Sequence, residues 1–316
     1  MVYIGVDIGG MSLKAGLVDE KGRILHKAVA VTSPDKPSEA IVEDIARLTE
    51  QLADESGVAL SETGGMGLGF PGSVDTETGV VRYCCNINMK NTPVAEILRR
   101  RLKTGDVFLG NDANCAALGE TMFGAGGGAR DSVMVTLGTG VGTGIISGGR
   151  LVTGHLSAGA EGGHIQISMG GPVCGCGKRG HYEAYASATA LIRQTESAVR
   201  KHPESLLAQI AAKDGVDGKT AFTAAKAGDK TAVRVVNKYI EYVGTGLVAL
   251  ANLFWPEVFI IGGGISREGE ALTAPLEKYL AERVYGGEYN PPIRVAAAAL
   301  GNDAGIIGAA ALAMKF

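Results

Sequence analysis

The stretch Val2-Tyr3-Ile4-Gly5-Val6-Asp7-Ile8-Gly9-Gly10 has the pattern of a buried strand that runs into a glycine turn. Far downstream, Ser132-Val133-Met134-Val135-Thr136-Leu137-Gly138-Thr139-Gly140 repeats this pattern. Each stretch is followed by a second apolar segment and a hairpin turn, so each predicts two strands joined by a glycine-rich turn. Because glycine lets a backbone approach a polyanion closely, the amides of such turns can face phosphate oxygens. The duplication favours two lobes that hold a nucleoside triphosphate from both sides.

The order of the other segments predicts an α/β chain with mixed sheets. A helix is predicted over Ser38–Ser56, because Ile41, Ile45 and Leu48 fall on one face. Further helices are predicted over residues 93–102, 113–122, 182 to the 220s, 231–253 and 305–314, and strands over 64–70, 107–110 and 255–261. A lobe boundary is predicted near Asn111: a smaller N-terminal lobe covers 1–111 and is joined by a C-terminal helix over 303–316, and a larger lobe covers 112–302.

The composition indicates a folded protein. With 316 residues, of which 46% are hydrophobic and 20% charged, the chain can bury a substantial core. A formal net charge of −3 and no basic cluster in the sequence predict neither a nucleic-acid nor a membrane partner. Five cysteines form no disulfide framework, and Asp7 in the first strand argues against a signal peptide. We therefore expect a cytoplasmic protein without a membrane span.

Each glycine turn, taken singly, fits an ordinary hairpin. The pair, with Asp7 at the end of the first strand and Lys14 just beyond it, favours phosphate binding. The Asp7 carboxylate could hold Mg²⁺ through water, since that ion prefers oxygen ligands. The spacing of the glycines excludes a P-loop, and no helix opens on either turn as a Rossmann site requires.

Asn111 and Asp112 stand at the end of a predicted strand and the start of a predicted helix. Both residue types cap helices well, which is one interpretation of the pair. The other is catalytic: Asp112 takes a proton from an attacking hydroxyl while Asn111 orients it. The two interpretations are compatible, with one residue capping and the other acting as a base.

Four side chains in a glycine-rich segment, His164, Cys174, Cys176 and His181, offer donors suited to tetrahedral zinc. The alternative is two buried thiols and two surface imidazoles. Zinc is favoured because so long a glycine-rich loop needs something to fix it.

Two carboxylates, Glu161 and Glu183, flank the same segment. Together with His164 they could hydrogen-bond sugar hydroxyls, although surface solvation explains any one of them equally well. The adjacent Cys84-Cys85 and the single Cys115 are predicted to pack in the interior.

The chain resembles the ROK family of sugar kinases over nearly its whole length, and within it the bacterial glucokinases. The motifs that carry the resemblance are DIGG at 7–10, GFPGSVD at 69–75, NDANCAALGE at 111–120, LGTGVGTG at 137–144, EAYASATAL at 183–191 and GGGIS at 262–266. No one of these motifs is specific by itself, but the set is.

The resemblance implies the actin-like ATPase (ribonuclease H-like) fold, with two lobes closing on ATP and a sugar. It implies that Asp112 is the general base for the sugar C6 hydroxyl. The implied sugar-binding positions are Gly72, Asn111, Asp112, Glu161, His164 and Glu183. The implied ATP-binding positions are Asp7, Gly9, Gly10, Met11, Ser12, Lys14, Gly138, Thr139, Gly140, Gly263, Gly264 and Ile265. The implied zinc ligands are His164, Cys174 and Cys176.

The chain departs from the family pattern at two positions. His181 stands where the family has a third cysteine. Histidine is a competent zinc ligand, but its longer ring changes the geometry of the loop. Met11-Ser12 follows the first glycine pair where the family continues with threonine, so Ser12 would have to supply the lost hydroxyl. Neither change touches Asp112.

The expected activity is ATP-dependent phosphorylation of a hexose, with glucose converted to glucose 6-phosphate. The expected cofactors are ATP, Mg²⁺ and a structural Zn²⁺, and the resemblance suggests a homodimer. N-acetylmannosamine, N-acetylglucosamine, mannose and fructose are alternative sugars. Two other classes stay open: a sugar-binding protein without activity, and a sugar-responsive regulator. The regulator is disfavoured, because such proteins carry a helix-turn-helix ahead of the first strand.

Overall fold

The computed structural model of the chain describes residues 1–84 and 86–314. The chain divides into two compact units. Unit 1 comprises Met1–Arg130, Gly144–Ala160 and Ala299–Phe316, and unit 2 comprises Asp131–Thr143 and Glu161–Ala298. This division shows which parts of the chain are compact and not which parts move together as a lobe. The lobe boundary near Asn111 therefore stays a prediction.

The first part of unit 1 alternates strands and helices. Its elements are β1 Val2–Ile8, β2 Ser12–Asp19, β3 Ile24–Val31, α1 Ser38–Ser56, β4 Met66–Phe70, β5 Gly72–Asp75, β6 Val80–Cys84, β7 Lys90–Thr92, α2 Val94–Leu102, β8 Val107–Asn111 and α3 Asp112–Phe123.

The rest of the chain contains the remaining strands and helices. Its elements are β9 Ser132–Leu137, β10 Val141–Ser147, β11 Arg150–Leu151, α4 Glu183–Ala186, α5 Ala188–Lys201, α6 Leu206–Asp214, α7 Thr220–Lys226, α8 Lys230–Phe254, β12 Val258–Gly262, α9 Glu270–Arg283, β13 Arg294–Ala297 and α10 Ala304–Ala313. Among the described residues, none of these helices combines the length and the apolar character that crossing a membrane requires.

The main sheet of unit 1 has the strand order β3-β2-β1-β4-β8. β1 pairs antiparallel with β2 and parallel with β4, which in turn pairs parallel with β8. Asp7 is opposite Gly69, and Gly69 is opposite Gly110. The carboxyl ends of β1, β4 and β8 therefore meet at one edge, where open α/β sheets bind their ligands.

The two faces of this sheet are covered differently, because side chains alternate along a strand. Ile4, Val6 and Ile8 belong to the large apolar core that includes the buried faces of α1 and α2. On the other face, a Cβ at Gly5 would collide with the carbonyl of Ile306 in α10. The glycine thus lets α10 lie directly on the sheet.

Two further sheets complete the architecture. One has the order β11-β10-β9-β12-β13, in which β12 pairs parallel with both β9 and β13. The other is a small antiparallel sheet, β5-β6-β7, inserted after β4. The predicted α/β chain with mixed sheets is confirmed.

Most predicted elements lie where the sequence indicated, and α1 has the predicted bounds. The strand predicted from residue 255 begins at Val258 instead, because Trp255 ends α8 with a φ of 41° and Pro256 follows it. The helix α9 was not predicted. Its buried leucines recur at every fourth position, but Pro275 lies among them and obscures the signal.

Three cysteines, Cys84, Cys85 and Cys115, were predicted to pack in the interior, and the structure describes two of them. Cys84 and Cys115 are both buried, as predicted. Cys85 lies outside the described residues, as do Lys315 and Phe316 at the end of the predicted C-terminal helix.

Candidate active site

The predicted site residues fall into one group in each unit. Unit 1 holds Asp7, Gly9, Gly10, Met11, Ser12, Lys14, Gly72, Asn111 and Asp112. Unit 2 holds Gly138, Thr139, Gly140, Glu161, His164, Cys174, Cys176, His181, Glu183, Gly263, Gly264 and Ile265.

Asp7 and Asp112 lie near each other at the carboxyl edge of the unit 1 sheet. Burial raises the pKa of the Cys115 thiol well above its usual value, and the charges of Asp112 and Asp7 raise it further. Both carboxylates therefore act on the same buried thiol. Lys14, opposite Asp7 across the hairpin, brings its Nζ to 3.4 Å from the Asp7 carboxylate.

The start of α10 also approaches Asp7. A Cβ at Gly305, the second residue of that helix, would lie 2.8 Å from the carboxyl carbon of Asp7. The amino-terminal end of a helix carries a partial positive charge and stabilises a nearby anion. Asp7 thus has a cation and a helix terminus beside it, and its carboxylate oxygens are of the type that binds a hydrated cation.

Asn111 is the N-cap of α3. Its Oδ1 accepts hydrogen bonds from the amides of Ala113 at 2.9 Å and Asn114 at 3.2 Å. Its Nδ2 donates to the carbonyl of Gly72 at 3.2 Å. The side chain therefore fixes the start of the helix and the strand end at Gly72 at the same time.

Asp112 is the first residue of α3 and is half-buried. Its Oδ1 accepts the amide of Ala113 at 2.8 Å. A carboxylate in the first turn of a helix interacts favourably with the helix dipole. The neighbouring Asn111 performs the capping, as one of the two interpretations of this pair anticipated.

Replacing Gly72 by any other residue would require a rearrangement of the small sheet β5-β6-β7. Its φ is 155°, and a Cβ would collide with the carbonyl of Tyr83. Because its own carbonyl holds Asn111, this glycine places the capping residue.

The first glycine turn is held from outside by Thr32. Its Oγ1 donates to the Gly9 carbonyl at 2.7 Å, and its amide donates to the Met11 carbonyl at 3.2 Å. The amides of Gly10 and Met11 make no hydrogen bond to any residue that the structure describes. The Met11 side chain is 87% exposed. The turn thus offers unpaired amide donors, and nothing in the sequence signalled the role of Thr32.

The second glycine turn is held by the start of α5. The amide of Ala188 donates to the Gly138 carbonyl at 2.8 Å, and Thr189 Oγ1 donates to the Thr139 carbonyl at 2.9 Å. These bonds fix two carbonyls of the turn, and the Gly138 amide donates to the Gly140 carbonyl at 3.0 Å within the turn itself.

The third glycine turn, Gly262 to Ile265, lies against the end of β9. Gly263 has a φ of 82°, and a Cβ there would collide with the Leu137 carbonyl. Because Leu137 precedes the second turn, unit 2 brings these two predicted ATP-binding turns together.

The four predicted zinc ligands form one cluster: the donor atoms of His164, Cys174, Cys176 and His181 all lie within 4.8 Å of one another. Cys174 Sγ is 3.7 Å from His164 Nδ1, and Cys176 Sγ is 3.2 Å from His181 Nδ1. Ligand atoms around a tetrahedral zinc are separated by about 3.3–3.8 Å, given the usual zinc–ligand bond lengths. The donor types fit zinc, including His181 in place of the third cysteine; the 3.7 Å contact lies within this range and the 3.2 Å contact just below it.

Glu183 connects this cluster to the second glycine turn, a link that the sequence did not predict. Its Oε2 accepts the Val141 amide at 3.1 Å, and its Oε1 accepts the Cys174 thiol at 3.0 Å. Burial, followed by this bond, raises the pKa of Cys174 to about 12. A bound cation would have to displace the thiol proton, as zinc does at other cysteine sites.

Glu161 is exposed, and the amide of His164 donates to its carbonyl at 3.0 Å. Gly162 beside it donates its amide to Thr143 Oγ1 at 2.8 Å. This segment therefore places Glu161 and His164 next to each other within unit 2.

The ROK family matches residues 3–315, which is nearly the whole chain. The protein thus belongs to the ROK family. The glucokinase of Streptomyces coelicolor is 41% identical over 318 residues, covering 99% of this chain and 97% of that protein.

Two solved structures agree with this assignment. A ROK family glucokinase from Streptomyces griseus, in complex with glucose and AMPPNP, is 39% identical, covers 100% of both chains and has a TM-score of 0.80. The ROK hexokinase from Thermus thermophilus is 35% identical over 99% of this chain and 98% of that one, with a TM-score of 0.79. The fold is the actin-like ATPase fold, as the sequence predicted.

Proposed function

We propose that this protein is an ATP-dependent hexose kinase and that glucose is its substrate. The observation that carries the proposal is Asp112 at the start of α3, directly after β8, whose carboxyl end lies at the same sheet edge as Asp7. The similarity to glucokinases at about 40% identity over the full chain supports the choice of reaction and sugar.

In this proposal Asp112 accepts the proton of the attacking sugar hydroxyl. A general base must hold its carboxylate ionised and in a fixed direction. Asp112 lies in the first turn of α3, and Asn111 fixes the backbone on which it stands. Asn111 acts here as a positioning residue through its bond to Gly72.

The nucleotide would be held mainly by backbone amides. The unpaired amides of Gly10 and Met11 suit phosphate oxygens, as do the glycine turns at 138–140 and 263–265. Because this binding uses the backbone, the missing threonine hydroxyl at Met11 need not abolish it. Asp7 would hold Mg²⁺ through water, and the ion would neutralise charge on the transferred phosphoryl group.

A structural zinc would be held by His164, Cys174, Cys176 and His181. His164 turns its Nδ1 towards Cys174, so its Nε2 is left for a sugar hydroxyl. The same residue can therefore serve both predicted roles, with the metal fixing the orientation of the ring. Glu161 and Glu183 would complete the sugar contacts. A homodimer stays a prediction from the resemblance, and a cytoplasmic location stays a prediction from the composition.

Replacing Asp112 by Asn tests the proposal. We expect kcat to fall by about two to four orders of magnitude, which is typical of losing a general base. Coupled ADP release with glucose and Mg-ATP measures this. The control is Asp214→Asn, an exposed carboxylate on α6, which should retain wild-type kcat.

Wild-type kcat in Asp112→Asn would remove Asp112 from the mechanism. No ADP release by the wild-type protein with any hexose would favour the sugar-binding alternative. A panel of glucose, mannose, fructose, N-acetylglucosamine and N-acetylmannosamine, compared by kcat/KM, identifies the sugar.

A further inference from the structure

A cavity of about 520 Å³ lies between α5 and α8 in unit 2. Its volume falls within the range of small-molecule sites, roughly 300–1,000 Å³. None of the predicted sugar-binding, ATP-binding or zinc-binding residues lines it. The proposed kinase activity therefore leaves this cavity without a role.

The walls of this cavity carry a concentration of positive charge. The cations that line it are Arg193, Arg200, Lys201, Arg234 and Lys238. No aspartate or glutamate lines it, although acidic residues outnumber basic ones in the whole chain, 33 to 30. Such a distribution attracts an anion.

Most of these charges are not neutralised within the protein. Arg193 donates to the Ala184 carbonyl at 2.5 Å and Arg234 to Thr231 Oγ1 at 3.0 Å, and both acceptors are uncharged. Within residues 1–84 and 86–314, neither Arg200 nor Lys201 forms an ion pair. Lys238 differs, because its Nζ is 2.7 Å from Glu241.

Helix dipoles explain only part of this arrangement. Arg200 and Lys201 stand in the last turn of α5, where cations are favourable. Arg234 stands in the second turn of α8, near the end where a cation gains nothing from the dipole. Both helices thus direct cations at one cavity, but only in α5 do these cations interact favourably with the helix dipole.

We propose that this cavity binds the phosphomonoester of a sugar-sized metabolite. Guanidinium groups bind phosphate oxygens through paired, charge-assisted hydrogen bonds, and Arg200 and Arg234 would supply them. Tyr242 also lines the cavity, where its ring packs at a 45° tilt against Tyr185 with centroids 4.9 Å apart, and Lys238 Nζ lies 5.0 Å from its centroid. Ala198 and Val235 also line the cavity and, with the edge of this ring, give a carbon skeleton an apolar surface, so the cavity fits a phosphorylated organic molecule better than a free anion.

Equilibrium dialysis with radiolabelled glucose 6-phosphate tests the proposal. Saturating glucose and a non-hydrolysable ATP analogue are present throughout, so that the proposed active site is filled. We expect binding to the wild-type protein and an affinity at least about tenfold lower in Arg200→Gln/Arg234→Gln, since two charged donors are lost. The control Arg100→Gln/Lys213→Gln makes the same change of charge on the exposed surfaces of α2 and α6, and its affinity should stay within about twofold.

No binding to the wild-type protein under these conditions would overturn the proposal, as would equal affinities in the two double variants. Labelled inorganic phosphate is a separate arm: binding as tight as that of the sugar phosphate would overturn the assignment to an organic phosphate. All the replaced side chains are exposed, and thermal unfolding checks that the variants fold. The dialysis needs no turnover, so its outcome is independent of whether the protein is a kinase.

Discussion

Asn111 and Asp112 are neighbours in the chain, but their side chains have different roles. Asn111 directs its side-chain oxygen at two helix amides and its nitrogen at the Gly72 carbonyl. Asp112 begins the helix and keeps a carboxylate at the sheet edge. At the scale of the residue, the same position in the fold thus provides both a stable helix start and a candidate base.

Two substitutions separate the contributions of Asn111. Asn111→Ala removes the cap and should lower the free energy of unfolding by about 1 kcal/mol. Asn111→Ser keeps a capping oxygen, so its unfolding free energy should stay near that of the wild type. Urea denaturation followed by circular dichroism measures both.

The activity of the same two variants completes the comparison. Both lose the donation from Nδ2 to Gly72, so both should lose kcat to a similar extent. If Asn111→Ser had wild-type kcat while Asn111→Ala did not, the bond to Gly72 would have no part in positioning Asp112.

At the scale of the element, α10 depends on small residues around it. It is buried on nearly all sides, between the unit 1 sheet and α3. A Cβ at Gly67 would collide with the Ala309 carbonyl, and one at Gly308 would collide with the Cys115 carbonyl. The helix therefore packs backbone against backbone, and it brings Gly305 up to Asp7.

The substitution Gly308→Ala tests this packing. The added methyl group meets a backbone carbonyl that cannot rotate away, so the free energy of unfolding should fall by about 3 kcal/mol. The matched control is Gly105→Ala, where no atom lies within 4 Å of the added Cβ. Its stability should be unchanged or slightly increased. Equal urea midpoints for the two variants would contradict the close approach of α10 and α3.

At the scale of the whole molecule, the segment from Glu161 to Tyr182 is exceptional. It contains a single short 3-10 turn, two isolated β-bridges and no α-helix or extended strand. Hydrogen bonds alone give so irregular a segment little rigidity. A metal held by its four clustered donors would cross-link it and so contribute to the stability of the folded chain.

Metal analysis and thermal unfolding test the zinc proposal together. We expect one zinc per chain in protein purified without chelator, and a Tm lower by about 5–10 °C after its removal. His181→Ala should lose the metal, His181→Cys should keep it, and the exposed His155→Ala serves as the control. Absence of stoichiometric metal in the wild-type protein would reject a structural zinc.

The sequence by itself determined the α/β class, most of the helices and strands, and the family, because periodic apolar patterns and glycine turns are local. It also predicted that four histidine and cysteine donors would converge, since they lie within 18 residues of one another, from His164 to His181.

Only the tertiary structure decided which distant residues meet. Thr32 holds the first glycine turn, Glu183 joins the second turn to Cys174, and Gly305 reaches Asp7. The basic cavity likewise escaped the sequence, because its cations come from two helices. Each of these contacts depends on the packing of elements far apart in the chain, and no local pattern encodes that packing.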